Sequence, residues 1–289
     1  MIPFPIIDTH VHFWDPAHLR YAWLDGNETL NRPYLPADYT QATEGVAVDG
    51  IVFVQAECAS EQYFSEAEWV DGLTNEDSRI QGIVASAHLE LGDAVLPALE
   101  ALSQYDRVKG IRRYVAGQRD AEYILRPDFV QGVQHLARVN FACDLGTGRH
   151  QLADAIALAR RCPEVRFMLC HIGVPDIRNQ ELDPWRSHIE TLASLPNVFC
   201  KLSGVATLAD KDNWTREDLR PAIEHILNCF GFERTAFGSD WPVMVLATTF
   251  RRWVETVAWV VQDCSESELR HLFRDTAKKV YNLDPPSTR

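Results

Sequence analysis

Short apolar runs rich in branched side chains alternate along the chain with longer stretches whose apolar positions recur every three or four residues. The runs are Ile6 to His12, Gly50 to Glu57, Ile80 to His88, Val108 to Arg113, Phe141 to Leu145, Val165 to His171, Val198 to Ser203 and Thr235 to Asp240. Their length and composition suit β-strands, and the three-to-four spacing between them suits helices. The helical stretches are Asp93 to Tyr105, Asp128 to Val139, Gln151 to Arg161, Asp183 to Ala193, Arg216 to Phe230, Thr249 to Gln262 and Ser265 to Asn282. The last opens with Ser265 and Glu268 at capping-box spacing. Eight strand–helix units in about 250 residues predict an α/β fold, a closed (β/α)8 TIM barrel forming a single domain over residues 1–289. No linker or low-complexity tract interrupts it. The longest insertion, Phe13 to Tyr39, follows the first strand and carries Trp14, Tyr21, Trp23 and Tyr34. Such a loop either packs its aromatics on the barrel top or walls a pocket there.

Composition narrows the function classes. Lys and Arg number 28 against 41 Asp and Glu, a formal charge of -13, which removes nucleic acid as the expected partner. A hydrophobic fraction of 46% with 24% charged residues is that of a globular chain with a sizeable core. No apolar run approaches the roughly 18 residues of a membrane span, and Met1 to Phe13 has no basic signal-like region, so a cytoplasmic protein with no membrane partner is expected. A homo-oligomer is compatible with all of this. The 7 cysteines are scattered with no C-x-x-C pair, so neither a disulfide framework nor a zinc knuckle is indicated and most are read as small core residues.

Candidate chemistry begins on the first strand. His10 and His12 in Asp8-Thr9-His10-Val11-His12 are two apart, so both imidazoles leave the same face and can bind one divalent metal at the barrel mouth. Glu57, His171 and Asp240 close the second, sixth and eighth runs. Ionisable residues at equivalent strand ends converge on one spot of a closed barrel. Arg112 and Arg113 end the fourth run, where one of them should face inward.

These motifs, with Val54-Gln55-Ala56-Glu57, Lys109-Gly110-Ile111-Arg112, His171-Ile172-Gly173, Lys201-Leu202-Ser203-Gly204 and Phe237-Gly238-Ser239-Asp240-Trp241-Pro242, resemble the amidohydrolase superfamily. More narrowly they resemble its branch of lactone hydrolases, which includes L-fuconolactonase, L-rhamnonolactonase, 2-pyrone-4,6-dicarboxylate lactonase and sulfomuconolactone hydrolase. The resemblance runs in order from about residue 6 to 283 and so covers essentially the whole chain. It implies a hydrolytic barrel with Asp240 as general base, His171 as the sixth-strand catalytic histidine, and His10, His12, Glu57 and Asp240 as the metal-ligand candidates. Asp144 and His150 flank the fifth strand, where two-metal members carry a further histidine, so one divalent metal, Zn²⁺ for example, or none is expected. The substrate implied is a small-molecule lactone.

No G-x-S-x-G or Walker loop occurs, and Gly146-Thr147-Gly148 lacks the third glycine of a dinucleotide fingerprint. Substrate-binding candidates are Arg112, Arg113, Trp23, Arg149 and Trp241, with His150, His88 and Lys201 behind them. The histidines within helical stretches, His135, His188, His225 and His271, read as surface or interface residues. The leading function is a lactonase acting on a sugar-acid lactone of the L-fucono type, with a metal or a protonated histidine polarising the carbonyl. The alternatives are a metal-dependent carboxy-lyase of the aminomuconate or aromatic-acid type and a non-catalytic metabolite binder.

Overall fold

The computed structural model describes residues 2–118, 120 and 122–283; Met1, Arg119, Ala121 and 284–289, which the expected 1–289 domain includes, lie outside the described residues. The eight expected strands are present: β1 (Ile6–Val11), β2 (Val48–Val54), β3 (Ile80–Ala85), β4 (Val108–Ile111), β5 (Ala142–Leu145), β6 (Phe167–Leu169), β7 (Val198–Leu202) and β8 (Thr235–Phe237). They form one parallel sheet in sequence order. Closure falls between β1 and the segment after β8, where Asp240 N–H donates to the His10 carbonyl at 2.8 Å and His12 N–H to the Trp241 carbonyl at 2.7 Å. The fold is a (β/α)8 barrel.

The helices are α1 (Pro36–Ala42), α2 (Tyr63–Leu73), α3 (Leu96–Leu102), α4 (Pro127–His135), α5 (Leu152–Arg161), α6 (Trp185–Ala193), α7 (Arg216–Phe230), α8 (Phe250–Val260), α9 (Glu266–Arg270) and α10 (Thr276–Tyr281). The first two escape the periodicity reading. In α2 buried Glu66 interrupts the apolar stripe of Tyr63, Ala67 and Val70, which hides its core face. The stretch Ser265 to Asn282 is helical as expected, with a π-helical turn over His271–Asp275 joining α9 to α10. The capping box does form, with Ser265 and Glu268 each accepting from the other's backbone N–H.

Two cores result. One fills the space between sheet and helices. The other occupies the barrel interior, where Ile7, Val52, Val84, Met168 and Phe199 meet Val280 and Tyr281 of α10. Arg166, just before β6, donates to the Val280 carbonyl, which places α10 at the end of the barrel opposite the mouth. Above this plug lies a fully buried ion pair, Lys201 Nζ to Asp144 Oδ2 at 2.6 Å. Tyr281 Oη donates to the other Asp144 oxygen at 2.7 Å, so the costly desolvation of the pair is offset by hydrogen bonding. Five of the seven cysteines are buried. His135, expected at the surface or an interface, is buried against Asp93, with Nε2 2.7 Å from its carboxylate. Among the described residues no helix is long and apolar enough to cross a membrane.

Candidate active site

The strands stop short of the residues read as their ends. Glu57, His171 and Asp240 lie two or three residues beyond β2, β6 and β8, and their φ angles are 57°, 51° and 65°. This left-handed backbone cannot continue a strand; it folds each chain back over the mouth and turns the side chain toward the barrel axis. Asn, Asp and His tolerate it best, which suits two of the three positions. Gly238 permits the approach of the eighth segment to the first: a Cβ there would sit 2.9 Å from the His10 Cβ.

One residue without an assigned part in the sequence reading holds this arrangement together. Asp8 is fully buried; Oδ1 accepts from the backbone of Ser239 at 2.8 Å and of His10 at 3.2 Å, and Oδ2 accepts from Tyr39 Oη at 2.9 Å. The carboxyl therefore ties the His10 strand to the Asp240 loop across the closure. Burial raises its pKa to about 6 against the hydrogen bonds that favour the anion. The signal available in the sequence was its place two residues before the first histidine.

Asp240 is ringed by imidazoles. Its Oδ1 lies 3.4 Å from His12 Nε2, 3.6 Å from His10 Nε2 and 3.9 Å from His171 Nε2. His12 Nδ1–H donates to the Val54 carbonyl at 2.6 Å, which fixes its tautomer and leaves Nε2 as a lone pair aimed at the carboxylate. His171 Nδ1 lies 3.0 Å from Ser203 Oγ. Burial lowers the proton affinity of all three rings, with Lys201 the next cause at His10, where the shift is largest; Asp240 opposes it at His12 and His171. A protonated imidazole is thus disfavoured, and the permanent cation in the site is Arg112, 4% exposed. Its Nη2 donates to the Gln55 carbonyl and its Nη1 to His10 Nε2 at 3.3 Å.

His10, His12 and Asp240 present one ligand atom each within 4.8 Å of one another. Two imidazole nitrogens and a carboxylate oxygen are a donor set that one divalent metal such as Zn²⁺ fits. Glu57 stands apart from it, its carboxylate accepting from Gln55 Nε2 at 2.6 Å.

Above these groups opens a cavity of about 310 Å³ lined by His12, Trp23, Ala56, Glu57, Arg112, Tyr114, His171, Asp240 and Val243. The long aromatic loop both packs and walls: Trp14, Tyr21 and Tyr34 are buried, while Trp23 stays 41% exposed with Nε1 donating to the Ala56 carbonyl at 2.7 Å. Three sequence candidates are not brought into this lining. Arg113, next to Arg112 and so facing the other way, clasps Glu90 through Nε and Nη2 and donates to Tyr63 Oη. Arg149 pairs with Asp176 at 2.6 Å. Trp241 is buried among Phe13, Tyr34 and Tyr39. Of the weaker candidates, His88 faces Glu90 and His150 the Gln118 carbonyl. Tyr114 and Val243 carried no signal in the sequence beyond following a strand.

The Ala56 N–H, just after β2, is held by Glu66 Oε1 at 3.1 Å, and burial raises the Glu66 pKa from 4.5 to about 7. Between those values the folded chain keeps a proton that the unfolded chain releases, so this group makes stability fall as pH rises from 4.5 to 7. Glu66→Gln removes that component. Its melting temperature relative to wild type is expected to rise by roughly 2–6 °C between pH 5 and pH 7.5; calorimetry of both proteins at the two values checks it, and a constant difference would refute the assignment.

A family model described as an amidohydrolase matches residues 7–283. An L-fucono-1,5-lactonase of Burkholderia multivorans is 29% identical over 97% of this chain and 97% of its own length. An uncharacterised protein of Sinorhizobium fredii is 29% identical over 96% of this chain and 98% of its own. A crystal structure of an amidohydrolase from Burkholderia multivorans with bound zinc superposes with a TM-score of 0.87 at 27% identity, covering 96% of this chain and 99% of that one. Because the match runs through every strand and every group at the mouth, the chain belongs to the amidohydrolase family.

Proposed function

We propose that this amidohydrolase is a lactonase that opens the ring of a neutral sugar-acid lactone, with the L-fucono type the first to test. The observation that carries the reading is one cavity in which a carboxylate ringed by imidazoles faces a fixed guanidinium. The carboxylate takes a proton from water as the water attacks the lactone carbonyl, and the guanidinium donates to the carbonyl oxygen as it gains charge. The tetrahedral intermediate collapses with cleavage of the bond to the ring oxygen, to which Asp240 returns the proton. When a divalent metal is held by His10, His12 and Asp240, it supplies Lewis-acid polarisation at the same place.

The charge inventory selects the substrate class. The lining holds one guanidinium against two carboxylates, Asp240 and Glu57. A pyrone dicarboxylate would add two negative charges to a pocket whose lining already sets two carboxylates against a single guanidinium. A neutral polyhydroxylated ring avoids that repulsion, offers hydroxyls to Glu57, and lays an apolar face on Trp23. The test is a pH-indicator screen of the purified protein against aldonolactones and pyrone carboxylates. Acid release with an aldonolactone is expected; turnover confined to a pyrone dicarboxylate would overturn the substrate class, and release of carbon dioxide from a carboxylic acid would overturn the reaction.

A further inference from the structure

We infer that Arg112 and a divalent cation are alternative partners of His10, so that the guanidinium sets the metal affinity of the site. The Nε2 atom of His10 has one lone pair, and it accepts from Arg112 Nη1 at 3.3 Å. A metal ion needs that same lone pair. The guanidinium is moreover a permanent positive charge, almost fully buried, so little water screens its repulsion of a second cation at the histidines.

The two first-strand histidines are built differently around this point. A metal-binding imidazole ordinarily donates its other ring N–H to a carbonyl or carboxylate, which fixes the ring and strengthens the ligand. His12 does so through Nδ1 and the Val54 carbonyl. His10 Nδ1 is buried and has no hydrogen-bond partner among the described residues. His12 is therefore equipped as a ligand, whereas His10 is equipped as the acceptor of a guanidinium. Arg112 also has a way out: its buried Nε has no hydrogen-bond partner among the described residues, the side chain borders the cavity, and the Tyr114 ring centroid lies 5.7 Å from Cζ. A cation entering at His10 would push the guanidinium toward that aromatic face.

This inference rests on His10, His12 and Asp240 as the metal-holding set and is independent of the lactone reading, because its test measures binding without turnover. Zinc affinity is determined by competition with a fluorescent chelator for wild type, Arg112→Met and Arg112→Lys. Arg112→Met is expected to bind zinc at least about ten-fold more tightly than wild type, with Arg112→Lys between, since lysine keeps the charge and loses the fork. Adding His10→Asn should remove most of the gain in the Arg112→Met background, leaving the part that comes from relieved charge repulsion, and change wild-type affinity little. Equal affinity of folded Arg112→Met and wild type would overturn the inference. Should Arg112→Met fail to fold, nitrogen-15 spectra of the wild-type protein decide. Zinc coordinating His10 Nε2 must then shift the Arg112 guanidinium signals, and coordination with those signals unmoved would refute the exchange.

Discussion

Asp240→Asn is expected to lower turnover of the best lactone by at least about 10²-fold, the usual scale for loss of a general base. The substitution keeps the shape of the side chain and its acceptor oxygen but cannot take up a proton from water. It also respects the backbone. Residue 240 has φ of 65°, and asparagine tolerates that left-handed conformation about as well as aspartate, so the variant should fold. Asp240 is the sole carboxylate on the eighth segment at the mouth, and its Oδ1 lies within 3.9 Å of three imidazole nitrogens. Among the described residues at the mouth no other carboxylate is placed to substitute: Glu57 is tied to Gln55 through both its carboxylate and its backbone N–H. The measurement is steady-state kinetics with near-UV circular dichroism as the folding control. A folded variant at wild-type rate would remove Asp240 from the reaction.

The barrel was legible because a parallel sheet covered on both sides leaves near-continuous apolar runs, and eight of them alternate with helices. The mouth was legible because a strand can carry two histidines on one face only at alternate positions. What hid from the sequence was mostly a matter of direction. Arg112 and Arg113 are the same residue type at neighbouring positions, and only the pleat of the strand decides that one meets His10 while the other meets Glu90. Arg149 looks identical to them until Asp176 is seen beside it. Trp241, following the aspartate directly, turns its ring into the aromatic cluster because the left-handed residue 240 reverses the chain. The structure also reveals positions of support rather than chemistry: Asp8, Glu66 and the Lys201–Asp144–Tyr281 group are polar residues inside apolar patterns. Periodicity treats such residues as breaks.

Those buried polar groups tie the elements of the mouth to one another. Asp8 fixes the closure of the barrel at the place where His10 and Asp240 must sit side by side. Glu66 accepts from the Ala56 N–H and Trp23 donates to the Ala56 carbonyl, so the wall of the cavity is anchored to α2. Lys201 brings a positive charge beneath His10 that, after burial itself, does most to keep that ring unprotonated. A neutral His10 can accept a hydrogen bond from Arg112, and the position of the guanidinium follows from that bond.

Arg112→Met is accordingly expected to lower kcat by about 10²-fold, whereas Trp23→Ala should act mainly by raising KM. A guanidinium donor aimed at the lactone carbonyl strengthens its bond as charge grows on the oxygen, and loss of one such donor falls in the range of about 10² to 10³ in kcat. Methionine keeps the length and apolar stem of the side chain without the donors. Trp23 instead offers a flat face that touches the ring alike before and during reaction; removing it weakens substrate and transition state together, which appears in KM. Its position supports this, since the ring is 41% exposed on the cavity wall and is held by the Ala56 carbonyl rather than by any group at Asp240. Both variants should be assayed with a strong chelator present, so that a metal entering the space left by Arg112 cannot replace the missing charge. Unchanged kcat in Arg112→Met under those conditions would take the guanidinium out of transition-state stabilisation. A fall in kcat with constant KM in Trp23→Ala would show that the indole positions the reacting groups instead of merely holding the ring.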